Sequence, residues 1–437
     1  MRAMRFILQY GRFRPYLYCE VMKDFELPPG PLLDKAQAIA RVAQSKGGRA
    51  LLVGGWVRDA LLGQSPKDAD LEVFGIQPDG LRKMLRAFGR VNCVGESFRV
   101  YKLAWHENEE RLELDVSIPR RDVKTGEGHK GFEIEGDPNA TFEDAARRRD
   151  FTVNAIGCDP LTDEILDPFG GRADLEKRVL RSVDARHFGE DSLRVLRAMQ
   201  FAARFELEIE PDTVAICRAT PLSDLPRERL WMEWEKLLMK AAKPSRGIIA
   251  ARALEIISRL FPELDAHIDE AVLDRAATLR EALQPNKRAA LMLAALTFNG
   301  GEALAQTILD ALGVFSNDGF DTRAATLALA KTSKARIDCT LSDGEMRRLA
   351  LRCDPPLLLA LLESMGRDVS ELRAQMQQLG VENGPIAPLL LGRHVLELGL
   401  KPGPRVGEIT RAVYEQQLDG DVTNLEEALA VARALVE

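Results

Sequence analysis

A glycine pair between a short apolar strand and a helix constrains the fold of this chain more than any other feature of its sequence. Arg49–Val53 is predicted to be a buried strand, and Gly54 and Gly55 follow it directly. The glycines open a short predicted helix that ends near Gly63, because glycine is common just after a helix C-terminus. A helix start preceded by glycines presents unpaired backbone N–H groups, so this turn is suited to holding a phosphate group.

Three acidic side chains are predicted to lie near this turn. Asp68 and Asp70 stand two residues apart in the next predicted strand, Asp68–Phe74, so both carboxylates point to one face. Asp115 lies on the polar face of a third predicted strand, Leu112–Ile118, which is suited to lying beside that strand. An isolated Asp-x-Asp pair is usually a solvated strand face. Next to the glycine turn, however, carboxylates on one rigid edge indicate magnesium-dependent transfer of a nucleotidyl group.

A second polar cluster lies at residues 148–155. Its arginines are suited to holding triphosphate oxygens through paired hydrogen bonds, and Asp150 or Asn154 is suited to accepting a hydrogen bond from a ribose hydroxyl. The alternative is an exposed helix start that is capped by Asp and Thr side chains. Taken alone, this cluster leaves both interpretations open.

A third cluster lies in a predicted helix that runs to about Phe205. Asp191, Arg194 and Arg197 recur at a spacing of three residues and therefore share one side of this helix. A rigid Asp/Arg pair is suited to reading the Watson–Crick edge of a base, because arginine donates a planar fork and aspartate accepts. An ordinary salt bridge within the helix, worth roughly 0.2–0.5 kcal/mol, is the alternative.

Apolar periodicity divides the chain into a small mixed α/β head and a largely α-helical remainder. From Phe142 onward, apolar residues recur at helical spacing almost to the C-terminus. Residues 120–139 are charged, contain glycines and show no period, so we expect a long connection there. The predicted segments are an N-terminal extension, the nucleotidyltransferase head, a helical neck, a helical body and a helical tail, at residues 1–30, 31–157, 158–245, 246–385 and 386–437.

Composition limits the partners of a chain of 437 residues. The net charge of −7 means that a polyanionic partner needs a local basic face. The six cysteines form no Cys-x-x-Cys pair, which favours reduced thiols in the cytoplasm over disulfides or structural zinc. The longest apolar stretch, near residues 289–298, is far too short to span a bilayer, so we expect no membrane partner.

The first twenty residues contain several arginines among aromatic residues and lack the uninterrupted apolar stretch of a signal peptide. Three interpretations stay open: a dispensable arm, an arm that contacts RNA, or an upstream start codon with Met22 as the true first residue. The first and third are favoured, because chain termini are commonly disordered.

Four spaced segments together resemble the successive motifs of class II tRNA nucleotidyltransferases, a family that includes CCA-adding enzymes and bacterial poly(A) polymerases. The segments are residues 53–73, 148–156, 167–175 and 190–205. Residues 391–430, more weakly, are similar to the tail of many bacterial CCA-adding enzymes.

The resemblance implies a role for each candidate residue. Asp68 and Asp70 would bind catalytic Mg²⁺, and Asp115 falls where the family places its third acid, often a glutamate. Asp191 and Arg194 would act as an amino-acid template that pairs with cytosine or adenine, with Arg197 supporting them. The other predicted nucleotide-binding residues are Gly54, Gly55, Arg58, Asp59, Arg149, Asp150 and Asn154.

One segment departs from the family. Many relatives carry a His-Asp phosphohydrolase domain in the middle of the chain, but the corresponding residues 294–300 contain neither His nor Asp. None of the five histidines of the chain is followed by Asp, and a hydrolase of that type needs clustered His and Asp ligands. We therefore expect a structural or RNA-binding role for this region.

The implied activity is template-independent addition of CCA to the 3′ end of tRNA from CTP and ATP, with no DNA partner. The alternatives are a poly(A) polymerase, a CC-adding or A-adding half of a split system, and a non-catalytic RNA-binding protein on an inactive head. Residues 120–139 occupy the place of a flexible loop that relatives use when they switch to ATP, which favours the full activity.

Overall fold

The computed structural model describes Phe25 and residues 27–64, 69–94, 100–124, 132–333 and 341–436. Asp68 and the N-terminal segment with Met22 lie outside these residues. The chain divides into two compact units. The first contains Met1–Ala198 and Glu206–Pro221, and the second contains Met199–Phe205 and Leu222–Glu437.

A seven-stranded mixed sheet lies at the centre of the first unit. Its strands are β1 Arg49–Val53, β2 Asp70–Phe74, β3 Arg90–Val94, β4 Val100–Glu107, β5 Glu110–Ser117, β8 Gly157–Cys158 and β9 Ile165–Leu166. Their order across the sheet is β3-β4-β5-β2-β1-β8-β9. Strand β2 pairs antiparallel with β1 and parallel with β5, and this parallel pair positions the predicted acids.

Two smaller strand pairs complete the β-structure of the described residues. They are the antiparallel pair β6 Arg120–Lys124 and β7 Phe132–Gly136, and the parallel pair β10 Val179–Leu180 and β11 Glu208–Ile209.

The helices of the first unit surround these strands. They are α1 Pro31–Ser45, α2 Gly55–Leu61, α3 Pro78–Leu85, α4 Phe142–Arg147, α5 Gly171–Glu176, α6 Ala185–Phe188 and α8 Pro211–Ala219, while α7 Leu193–Arg204 has residues in both units.

The remaining helices form the second unit. They are α9 Arg227–Lys240, α10 Pro244–Ala253, α11 Ile256–Leu260, α12 Glu270–Leu279, α13 Arg288–Thr297, α14 Gly301–Leu312, α15 Thr322–Thr332, α16 Asp343–Arg352, α17 Pro355–Ser364, α18 Ser370–Gln378, α19 Gly392–Glu397, α20 Pro404–Asp419 and α21 Leu425–Val436. A mixed head followed by a largely helical remainder confirms the predicted fold class. No helix among the described residues is long and apolar enough to cross a membrane.

Alternation along the central strands explains which residues face the core. Leu71 and Val73 of β2 are fully buried, as are Leu114 and Val116 of β5. The residues between them therefore point to the opposite face of the sheet, where Asp70 is exposed.

The predictions of continuous helix after Phe142 and of an irregular connection at 120–139 differ from the structure. β8 and β9 extend the central sheet beside β1, and β10 and β11 also interrupt the helices. Strands of two residues are too short to show a period, and β8 also pairs with β1, which is distant in sequence. β6 and β7 occupy half of residues 120–139, whereas residues 125–131 lie outside the described structure. The division into five segments remains a prediction.

Helix α13 lies where relatives are expected to carry the His-Asp residues, and it is buried on every side. All residues from Ala289 to Thr297 are inaccessible, and the Thr297 hydroxyl donates to the Leu293 carbonyl at 2.8 Å within the helix. The Asn299 side chain donates to the His267 carbonyl at 3.1 Å. The side chains of Thr297 and Asn299 therefore form hydrogen bonds with backbone carbonyls, which is a structural role.

Arg280 is buried beneath the C-terminal end of α9 and supplies a stability test. Its guanidinium donates to the Leu238 carbonyl and, at 2.8 Å, to the Ala241 carbonyl. We expect Arg280→Met to lower the free energy of unfolding by about 2 kcal/mol, because buried carbonyls lose their donors. Urea unfolding followed by circular dichroism measures this loss. Arg373→Met is the matched control, because Arg373 is half exposed in its ion pair with Glu363, and an equal loss there would contradict the capping role.

Candidate nucleotide-binding and catalytic site

Two of the three predicted acids lie side by side on adjacent strands. Asp70 of β2 is in register with Asp115 of the parallel strand β5, and neighbouring strands are about 4.8 Å apart. Asp70 is exposed, and the Asp115 side chain is 35% exposed. Asp68 lies outside the described residues, among which no cluster of three or more metal-ligating side chains is present.

Lys102 balances the charge of this acidic pair, and sequence reasoning missed it. It faces Asp115 across the β4–β5 pair, and its ammonium nitrogen lies 3.3 Å from a carboxylate oxygen of Asp115. The alternation of β4 gave one signal, since Tyr101 and Leu103 are both buried and Lys102 therefore points to the polar face.

The glycine turn lies against Asp70 and Arg149. Gly54 has φ +68°, a conformation that residues with a side chain rarely adopt. A Cβ atom at Gly54 would lie 2.8 Å from Nη1 of Arg149 and 3.8 Å from a carboxylate oxygen of Asp70. The turn therefore needs glycine both for its backbone conformation and for the space that Arg149 occupies. Gly55 begins α2, as predicted.

Arg58 is buried behind the turn and holds two other predicted residues. Its Nη1 donates to the Asn154 side-chain oxygen at 2.6 Å, while Nε and Nη2 donate to Asp59 at 2.8 and 2.6 Å. Burial lowers the pKa of Arg58, although the charges of Asp59 and Asp150 oppose this effect. Arg58 therefore holds the side chains of Asp59 and Asn154 in place through all three of its guanidinium nitrogens.

Asp150 continues this network towards helix α7. Its carboxylate accepts hydrogen bonds from the Asn154 amide at 2.9 Å, the Phe151 backbone N–H at 2.9 Å and the Arg197 Nε at 2.7 Å. Burial alone would raise the pKa of Asp150, but the positive charge of Arg197 and these hydrogen bonds bring it below its ordinary value. The predicted residues Arg58, Asn154, Asp150 and Arg197 thus form one connected chain of polar contacts.

The predicted base-reading pair is held by backbone groups in this structure. Arg194 donates to the His187 carbonyl at 2.8 Å and to the Arg148 carbonyl at 2.6 Å. Asp191 accepts from the Leu193 backbone N–H at 3.1 Å, as a residue at a helix start does. The Arg148 carbonyl immediately precedes Arg149, so the guanidinium of Arg194 is fixed to the segment that carries the predicted phosphate ligand.

Comparison with protein families and solved structures gives an independent assignment. The family model described as "Poly A polymerase head domain" matches residues 50–181. A second, described as "Probable RNA and SrmB- binding site of polymerase A", matches residues 206–268.

Named relatives match about half of the chain. A protein called "Multifunctional CCA protein" from Nitrosococcus oceani is 37% identical over 218 residues, which cover 49% of this chain and 50% of the relative. The similar protein from Azoarcus sp. BH72 is 40% identical over 222 residues, again half of each chain. The chain thus spans about half the length of the curated relatives that it matches.

A solved structure has a similar fold over most of the chain. The Bacillus stearothermophilus CCA-adding enzyme in complex with CTP superimposes with a TM-score of 0.66 at 23% identity, covering 93% of this chain and 98% of the other. Residues 50–181 are therefore similar to the head domain of poly A polymerases, and residues 206–268 are similar to their probable RNA-binding region.

Proposed function

We propose that this protein adds CCA to the 3′ end of tRNA from CTP and ATP without a nucleic-acid template. The observation that carries the proposal is the register of Asp70 with Asp115, next to a glycine turn and the guanidinium of Arg149. The names of the relatives, each a CCA protein or CCA-adding enzyme, favour tRNA as the acceptor.

The acidic residues at this position of β2 and β5 suit Mg²⁺. Carboxylate oxygens are its preferred protein ligands, and the side chains of Asp70 and Asp115 are both accessible to solvent. Enzymes of this family generally depend on divalent metal ions, and we propose Asp68 and Asp70 as the main ligands, with Asp115 beside them. When bound, Mg²⁺ would neutralise phosphate charge and lower the pKa of the attacking hydroxyl.

The remaining residues bind and orient the substrates. Arg149 is placed to donate hydrogen bonds to the triphosphate, and the N–H groups at the start of α2 are suited to the same phosphates. Asn154 and Asp150, held by Arg58 and Arg197, form a rigid wall for the ribose. The tRNA 3′ hydroxyl would then attack the α-phosphate in line, and pyrophosphate would leave.

A single incorporation assay tests the proposal. Purified protein is incubated with Mg²⁺ and tRNA that ends at the discriminator base, with CTP, ATP or both. Growth that stops after CCA supports the proposal. Products ending in CC or A alone indicate half of a split system, and no incorporation indicates an RNA-binding protein with an inactive head.

Poly(A) synthesis is the second candidate, because the matched head domain takes its description from a poly A polymerase. Both activities use the same chemistry, so the acidic residues of β2 and β5 alone do not separate them. Long A tails, formed from ATP alone on tRNA or on an unrelated RNA, would show that the protein is a poly(A) polymerase and would contradict the proposed CCA addition.

Arg194 supplies a test of nucleotide selection. We expect Arg194→Ala to lower the preference for CTP and ATP over UTP and GTP by about 10-fold or more, because arginine's hydrogen bonds discriminate between base edges. The measurement is kcat/KM for each of the four triphosphates. The control is Arg186→Ala, which removes an exposed arginine of the neighbouring helix α6. Unchanged selectivity in Arg194→Ala would remove the templating role.

A further inference from the structure

Glu72 is a buried carboxylate on the catalytic face of β2. It stands two residues from Asp70 and therefore points to the same side of the sheet. Only 7% of Glu72 is exposed, and its Oε2 atom has no hydrogen-bond partner in the part of the chain that the structure describes. A buried, unsatisfied carboxylate is costly, so its presence beside the site calls for a counter-charge.

Arg149 supplies that counter-charge. Its Nη2 atom lies 3.6 Å from Oε2 of Glu72, which is within ion-pair range but too long for a hydrogen bond. The Nε atom of Arg149 is buried, and it too has no hydrogen-bond partner within the described ranges. Glu72 therefore attracts the guanidinium by charge without taking a hydrogen bond from its Nη2 atom.

The position of the Arg149 guanidinium indicates what its attraction to Glu72 does. The guanidinium lies between Glu72 on one side and the glycine turn on the other, where a Cβ at Gly54 would come within 2.8 Å of Nη1. We propose that Glu72 is a positioning residue for the triphosphate. It holds the guanidinium of Arg149 against the glycine turn, in the orientation in which its Nη atoms meet the phosphates.

The inference rests on the proposed nucleotidyl transfer and deepens it. A purely structural ion pair would lower the stability of the protein when broken, with no selective effect on substrate. A positioning residue would instead weaken the binding of every nucleoside triphosphate, because the phosphates are common to all of them. Nucleotide affinity therefore separates the two roles.

A double-mutant cycle on the full chain tests this role. The variants are Glu72→Gln, which keeps the size of the side chain, Arg149→Gln, and the double variant. We expect Glu72→Gln to raise KM for both CTP and ATP about 10-fold and to change kcat by less than about threefold. In the Arg149→Gln background, the same substitution should raise KM no further, because Glu72 acts through Arg149.

Binding is measured separately from turnover, as the rise in thermal unfolding temperature that CTP with Mg²⁺ produces. This rise should shrink in Glu72→Gln. Glu164→Gln is the control, because Glu164 also pairs with an arginine, Arg49, at 2.5 Å, but on the exposed edge of the sheet. Glu72→Met serves as a second variant in case the buried amide prevents folding.

Three results decide the inference. Wild-type-like KM and wild-type-like stabilisation by CTP in folded Glu72→Gln or Glu72→Met would overturn it and leave the proposed function intact. Independent, additive effects of the Glu72 and Arg149 substitutions would also overturn it. A wild-type protein that neither binds nor incorporates nucleotide would overturn the proposed function and this inference together.

Discussion

Asp70→Ala is expected to reduce nucleotide incorporation by about 10³-fold or more while leaving tRNA affinity nearly unchanged. The carboxylate is exposed on the polar face of the sheet at the first residue of β2, in register with Asp115, and its oxygen lies near the glycine turn. Its removal would take away a proposed metal ligand without disturbing the core, because Leu71 and Val73 on the opposite face remain packed. Single-turnover incorporation of CTP measures the chemistry, and filter binding measures tRNA affinity.

Glu113→Ala is the matched control for this experiment. Glu113 lies on β5, two residues from Asp115 on the same face, and pairs with Arg111 at 2.6 Å on the solvent-exposed surface. It carries the same charge and is absent from the proposed machinery, so its incorporation rate should stay within about twofold of wild type. Appreciable residual turnover in Asp70→Ala would refute the metal assignment, even if the overall activity were that of a CCA-adding enzyme.

The local part of the fold could be predicted because it depends on neighbours in sequence. β1 has the predicted bounds Arg49–Val53, and α7 ends at Arg204, one residue before the predicted end. The pairing of Asp115 beside β2 was predicted from the alternation of Leu112–Ile118, and it is confirmed by the register of the two strands. These features follow from periodicity and from the conformational freedom of glycine.

The contacts that shape the site depend on residues distant in sequence and were not predictable in the same way. Lys102 meets Asp115 only because β4 lies beside β5, and Glu72 meets Arg149 only because the segment after α4 folds over β2. The sequence also gives no sign that Arg194 binds the carbonyls of His187 and Arg148. Such polar contacts carry no period, so they become visible only with the tertiary structure.

The contact of Arg197 with Asp150 is expected to affect both nucleotide selection and the stability of the protein, and both effects can be measured. Its ion pair with Asp150 fixes the start of α7, which carries the proposed base-reading residue Arg194, to the wall that Asn154 and Arg58 complete. Loss of this pair should therefore disturb nucleotide selection as well as stability. We expect stability to show the larger effect, because Asp150 is buried and Arg197 supplies its main opposing charge.

Arg197→Met is expected to lower the free energy of unfolding at pH 7 by about 3–5 kcal/mol, because it leaves a buried carboxylate without its counter-charge. The pKa of Asp150 is depressed in the folded wild type, so this stabilisation is present above its unfolded pKa of about 4 and is lost as pH falls through the lower folded value. In the variant, burial should raise the pKa of Asp150 and allow it to bind a proton at a higher pH. The difference in the free energy of unfolding between wild type and Arg197→Met should therefore become smaller as the pH falls towards 4.

Urea unfolding of wild type and Arg197→Met at pH 7 and pH 4 measures the loss of unfolding free energy at each pH. Arg111→Met is the matched control, since the Arg111–Glu113 pair is exposed and should contribute less than about 1 kcal/mol at either pH. A loss of unfolding free energy in Arg197→Met that is as small as in Arg111→Met would contradict this account of Asp150. A loss of the same size at both pH values would also contradict it. A large loss confined to neutral pH would show that a buried ion pair joins the nucleotide wall to α7.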